Sequence, residues 1–260
     1  MVKTKTALKD RQSPARHLSR DIETLANRGR RYRPDEWLYF LCQDVLAGFG
    51  RRLQQPWDEE RQEALYALSR LYGNLVGEHP WKDILGPTYM ELGSRGQQRW
   101  LGQYFTPQTV ASCMAEMQLA DAELDAHLHS KTRIRVMEPA CGSGVMLLAA
   151  CDGVQRHHGV SALQQFALTA IDLDRLCAEM TATQLLANAT LHGALGEVHV
   201  YQGNALTHAD MHVIVSLAWP PMDEDGLLEN LTVPSCPMPI GVNAIPAASA
   251  IRVGEQLSLF

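Results

Sequence analysis

The segment Ile134-Arg-Val-Met-Glu-Pro-Ala-Cys-Gly-Ser-Gly-Val-Met-Leu-Leu148 restricts the fold more than any other stretch of this chain. Its β-branched start predicts a strand over 134–138 that closes on a carboxylate. A tight turn with Gly142 and Gly144 follows and runs into an apolar helix, predicted over roughly 143–151 and extendable to 158. A strand feeding a helix through a glycine turn is one unit of a doubly wound α/β sheet, in which ligands sit at the carboxyl ends of the strands. Glycine is needed because the backbone must turn sharply and approach a ligand with no Cβ in the way. The spacing E-x-x-x-G-x-G is neither the G-x-G-x-x-G of dinucleotide binders nor a phosphate loop with Lys-Ser/Thr. An acid on the ligand side of such a turn suits a cationic or amine-bearing ligand better than a pyrophosphate.

Two more polar features recur at the same structural level. The strand predicted over 168–172 ends in Ala170-Ile-Asp-Leu-Asp, where Asp172 can accept the hydroxyls of a ribose and Asp174 starts the next helix, 174–190. Leu176, Met180 and Leu186 form that helix's apolar stripe. A third strand, 198–202, ends in Gln202-Gly203-Asn204-Ala205, where the Asn204 amide can read an adenine edge. A fourth is predicted over 212–217. Each feature taken singly is a surface turn; at three successive strand ends they describe one site. Ahead of the first strand, Thr106 is an N-cap, Pro107 the first helical residue, and Val110, Met114 and Met117 the buried stripe.

The chain divides into four regions. Residues 1–34 form a basic arm: residues 1–35 hold ten Lys/Arg against four Asp/Glu, a balance of +6 that leaves −12 on the other 225 residues. Such an arm suits contact with phosphate, and the same composition suits a solvated tail. Residues 35–100 are helical, with Trp37, Phe40, Leu41, Val45, Phe49 and Leu53 at helical spacing. A second set runs from Ala64 to Val76, begun by Asp58, Glu59 and Glu60 and ended near Gly77. Aromatics at this spacing are core. Residues 101–222 carry the alternating strands and helices. Residues 223–260, with four prolines and little periodicity, are an irregular tail. The longest apolar run, 145–151, is far too short to span a bilayer, and the six cysteines lack metal-ligand spacing, as free thiols of a reducing cytoplasm do.

The loop Glu138-Pro139-Ala140-Cys141-Gly142-Ser-Gly144 resembles the S-adenosylmethionine loop of the N6-adenine DNA methylases, in particular the modification subunits of type I restriction systems. Upstream, Gly102-Gln103-Tyr104-Phe105-Thr106-Pro107 resembles their G-Q-[FY]-[FY]-T-P segment, which lines the same cofactor. Asp83-Ile-Leu-Gly86 with Tyr89-Met-Glu91 resembles the D-x-L-G-x-x-Y-E stretch that ends their helical region, with one extra residue before Glu91. The resemblance implies a Rossmann-like methyltransferase fold, a partial parallel sheet with an N-terminal helical region. It implies S-adenosylmethionine as cofactor, with Glu138, Gly142 and Gly144 at its methionine end. Asp172 would then face the ribose and Asn204 the adenine, with Phe105 and Thr106 closing the pocket.

One motif departs from that family. Where its members carry [DNS]-P-P-[YFW] after the fourth strand, this chain reads Trp219-Pro220-Pro221-Met222. In the family, the first side chain and the next carbonyl accept hydrogen bonds from the target amine, and the aromatic stacks on the flipped base. Trp219 has a donor and no acceptor, and Met222 packs without being an aromatic platform. Only 38 residues follow Met222, fewer than the family's further strands and recognition region require. The residues therefore leave open an S-adenosylmethionine-dependent adenine-N6 DNA methyltransferase that works with a specificity or second methylase subunit, or a catalytically inactive methylase-fold protein on DNA. A third reading is methyl transfer to protein or RNA. The C-terminal Gln256-Leu257-Ser-Leu259-Phe260 resembles the pentapeptide by which bacterial replication and repair proteins dock on the DNA polymerase sliding clamp. Both resemblances imply a protein acting on DNA in a bacterial cytoplasm.

Overall fold

The computed structural model describes residues 13–29, 31–53, 56–93, 104–119, 126–128 and 133–219, and the backbone of 256–258. Helices come first: α1 (Pro14–Gly29), α2 (Pro34–Gly48), α3 (Glu59–Glu78), α4 (Leu85–Leu92) and α5 (Gln108–Leu119). The sheet region follows with β1 (Ile134–Glu138), α6 (Val145–His158), a 3₁₀ turn (Val160–Gln165), β2 (Phe166–Asp172), α7 (Arg175–His192), β3 (Glu197–Gln202), β4 (His212–Ala218) and β5 (Gln256–Ser258). The strand order is β4-β3-β2-β1-β5. The protein is thus an α/β molecule with a mostly parallel sheet and a helical N-terminal region.

β1, β2 and β3 pair in parallel through right-sized crossovers, with Val136 opposite Leu168 and Leu168 opposite Val198. These residues are buried and form the main core with Leu147, Leu148 and Val154 of α6 and Leu185 and Leu186 of α7. Asp58 caps α3 by accepting from Arg61 N at 2.9 Å, and Asp174 caps α7 by accepting from Cys177 N at 3.0 Å.

Three expectations from the sequence are corrected. Half of the basic region is α1, whose Leu18 and Ile22 are fully buried against α2 and α3; its charges line the outer face of an amphipathic helix, a pattern that charge counting alone cannot separate from a free arm. Residues 1–12 lie outside the described residues. On α5, Val110 and Met117 are exposed, and Ala111 and Ala115 face Val145, Met146 and Ala149 of α6. Small side chains let the two helices approach closely, so the buried stripe is the least bulky one. Finally, β4 runs antiparallel to β3, pairing Gln202 with His212 and Glu197 with Ala218. The connection 203–211 is shorter than the dozen or so residues that a parallel crossover needs. His208 and Asp210 turn it at positive φ.

A cavity of about 410 Å³ lies in the helical layer beside Tyr32, Trp37 and Arg61, away from the strand ends. Asp58 pairs there with Arg31 and Arg61, and the Arg61 guanidinium stands over the Tyr32, Phe40 and Trp57 rings. It is a structural seam between α1, α2 and α3.

Candidate cofactor-binding site

The ends of β1, β2 and β3 are laced together by backbone bonds. Cys141 N donates to Ile171 O at 2.9 Å, and Gly203 N to Asp172 O at 2.8 Å. Asp172 ties the glycine turn to its own strand: Oδ2 accepts from Gly142 N and Oδ1 from Asp174 N, each at 2.8 Å. Gly142 sits at φ +54° and Gly144 at φ +91°, a region that side-chain-bearing residues rarely occupy. A Cβ on Gly142 would come within 3.0 Å of the Phe105 ring, and one on Gly144 within 3.1 Å of Thr181.

Glu138 is the informative acid. It is 5% exposed, and its Oε1 accepts from Ala140 N at 3.0 Å. Its Oε2 is buried with no hydrogen-bond partner among the described residues. Burial pushes this carboxyl above its ordinary range; the Ala140 N–H opposes the shift and nearby Asp172 adds to it. A buried carboxylate oxygen lacking a donor is costly, and an ammonium group is the donor that would relieve it. The residues therefore fit the methionine end of S-adenosylmethionine. Burial likewise raises Asp172, against the bonds from Asp174 and Gly142. It pushes the Cys141 thiol far up, which leaves that cysteine an inert packing group.

The remaining expected residues divide sharply. Phe105 lies over the glycine turn and stacks edge-on with Tyr89 at 5.7 Å. Thr106 is half-buried, and Tyr104 and Pro107 are exposed; the Pro107 carbonyl accepts from Val110 N and Ala111 N to open α5. Pro139 is half-buried and Ala140 exposed. Gln103 lies outside the described residues. Asn204 stands at the right strand end, but its Oδ1 accepts from Leu206 N and Thr207 N at 2.9 and 3.2 Å, so its side-chain oxygen closes its own turn.

Trp219 is not at this site. Because β4 is antiparallel, its carboxyl end lies beside the start of β3, and Trp219 N donates to Gly196 O at 3.1 Å. The length of β3 separates it from Gly203, about 20 Å at 3.3 Å per residue. Pro220, Pro221 and Met222 lie outside the described residues. Gln256 and Leu257 lie in β5, opposite Arg135 and Val136 of β1; Leu259 and Phe260 lie outside the described residues.

The backing of the glycine turn went unread in the sequence. Thr181 Oγ1 donates to Gly142 O at 3.0 Å. Gln184, fully buried in α7, donates to Ser143 O at 2.7 Å and Asp83 Oδ1 at 2.8 Å, and accepts from Ile84 N and Leu85 N. Asn188 accepts from Trp81 N at 2.6 Å and donates to Gln184 O. Ser143 Oγ donates to Asp83 Oδ2 at 2.6 Å. The available signal was a polar row, 181-184-188, inside an otherwise apolar helix.

A carboxylate-and-glycine turn at the head of a mostly parallel α/β sheet is an arrangement suited to a ligand at the strand ends. The N-6 DNA Methylase family model matches residues 82–225, more than half of the chain, and the chain belongs to that family. Among solved structures, the chain is similar to one from Listeria monocytogenes, assigned provisionally as a class I S-adenosylmethionine-dependent methyltransferase. The two are 14% identical, with a TM-score of 0.38 over 68% of this chain and 50% of that one. The chain thus spans about half the length of that structure. A search of curated proteins returned no match. Among the described residues no helix is long and apolar enough to cross a membrane, and no cluster of metal ligands occurs.

Proposed function

We propose that this chain binds S-adenosylmethionine at the β1–β3 strand ends and serves N6-methylation of adenine in DNA. The observation that carries the reading is the buried, unpartnered Glu138 Oε2 beside a glycine turn held open by Gly142 and Gly144. When bound, the sulfonium cofactor supplies an electrophilic methyl group. The chain's own residues then have distinct tasks. Glu138 holds the ammonium, Asp172 offers its remaining lone pairs to the ribose, and Phe105 covers the turn and excludes water. Family membership supports DNA as the substrate.

A second reading follows from the position of Trp219. With this residue a strand length away from Glu138, the described chain binds cofactor without presenting an acceptor to a target amine. A separate subunit would then complete transfer, or the protein would bind cofactor and DNA without transferring. Labelled S-adenosylmethionine, incubated with the full chain and unmethylated DNA, tests both readings when cofactor binding is measured on the same sample. Label in N6-methyladenine supports the first, binding without transfer supports the second, and a folded protein that does not bind overturns both. We also infer that Gln256–Phe260 docks on the sliding clamp after leaving β1; a chain lacking these residues should no longer be retained by immobilised clamp, and unchanged retention would end the idea.

A further inference from the structure

We propose that Asp83 and Gly86 are positioning residues for the cofactor turn, gripping Ser143 from the side away from the ligand. Asp83 sits just before α4, in the helical layer, and reaches the turn through Ser143, whose side chain is fully buried. Its carboxylate accepts from Ser143 Oγ at 2.6 Å, Gln184 Nε2 at 2.8 Å and Gly86 N at 2.9 Å, and Gln108 Oε1 accepts from Asp83 N at 3.0 Å. Ser143 stands between Gly142 and Gly144, so its side chain anchors the two least constrained backbone positions of the turn. Gly86 lets the anchor approach. A Cβ there would lie 2.5 Å from Ser143 Oγ and 2.9 Å from Ser143 Cβ, and would also meet Asp83 Oδ2. Thr181 and Gln184 fix the turn's carbonyls from the same side. The turn is thereby held between the helical layer and α7, with its backbone shape preset before any cofactor arrives.

This inference rests on the cofactor reading above, and its test separates the two. Gly86→Ala should weaken S-adenosylmethionine binding to the full chain by about tenfold, the scale of one charge-assisted hydrogen bond. In the Ser143→Gly background both Ser143 atoms met by the new Cβ are gone, and Asp83 Oδ2, released from the Ser143 hydroxyl, can turn aside, so Gly86→Ala should add little further loss. A merely structural defect would lower affinity equally in both backgrounds, and that result would overturn the proposal, as would wild-type affinity in Gly86→Ala. Hydrogen exchange of the 140–144 amides in cofactor-free protein supplies a readout independent of the ligand. It should speed up in Gly86→Ala and in Asp83→Asn relative to the core amides of β2. If the wild type binds no cofactor, the cofactor reading falls while the exchange result still decides the grip; unchanged exchange in both variants would refute it.

Discussion

The two ends of this sheet are made from the same strands and treat polar groups in opposite ways. At the carboxyl ends of β1–β3, Glu138 and Asp172 are drawn into the protein and bound to backbone N–H groups, and Glu138 Oε2 has no partner among the described residues. At the other end, where β4 finishes on the edge of the sheet, Ser216 and Ala218 are exposed and Trp219 is tucked part-buried against the core. The first end holds a buried acid that a ligand can relieve, whereas at the second the half-exposed Glu197 is already paired with Arg133. Sequence similarity to one family covers both ends, so membership alone does not say which end has kept its chemistry.

Substitutions can break or sharpen this contrast. The largest effect is expected from Gly142→Asp, which places a side chain at φ +54° against Phe105 and a new charge beside Asp172. Calorimetric titration should find S-adenosylmethionine binding abolished, and residual binding near the wild-type level would mean the cofactor lies elsewhere. Next is Glu138→Gln. Losing one partner of a buried charge pair costs on the order of 3 kcal/mol, or about a hundredfold in affinity. The same change should not harm the cofactor-free protein. The folded-state carboxyl is raised, so above the ordinary carboxylate range the folded state holds more protons than the unfolded one. Wild-type stability therefore falls as pH rises through that window. Thermal melts should show a weaker decline for Glu138→Gln, and parallel pH curves would contradict the buried charge.

Away from the glycine turn the expected effects shrink. Trp219→Asn removes a part-buried aromatic, costing about 1–2 kcal/mol in denaturant melts, and should leave cofactor affinity unchanged. A gain in methyl transfer instead would show that 219–222 moves to the strand ends during turnover. Smallest is Val213→Lys. Val213 is 61% exposed on the edge strand, where lysine is well tolerated, so stability should shift by no more than about 0.5 kcal/mol.

Much of the fold was legible because local chemistry and tertiary role agreed. Asp58 and Asp174 are caps by sequence and by structure, and the strand cores of β1, β2 and β3 fall where β-branched runs placed them. Glu138 and the two glycines stand out because their residue types are needed locally. What stayed hidden depends on partners distant in sequence. Nothing near Ala111 says that a close-packed helix awaits it, or near Leu18 that α2 and α3 will cover it. Thr181, Gln184 and Asn188 look like interruptions in an apolar helix until their acceptors arrive from 81–85 and 142–143. Asn204 shows the reverse case: its side-chain oxygen satisfies its own turn.

The Gln184 bolt also dictates the order in which the protein can be built. Its bond to Asp83 closes a separation of 101 residues, and the Asn188 bond to Trp81 one of 107, whereas the β3–β4 hairpin closes over the short connection 203–211. Long closures carry the larger entropic cost and form late. On the ribosome, the helical layer and β1 emerge well before α7 does. The glycine turn must therefore remain loose through most of synthesis, and the pocket is set only when residues 181–188 leave the exit tunnel and swing onto a waiting scaffold.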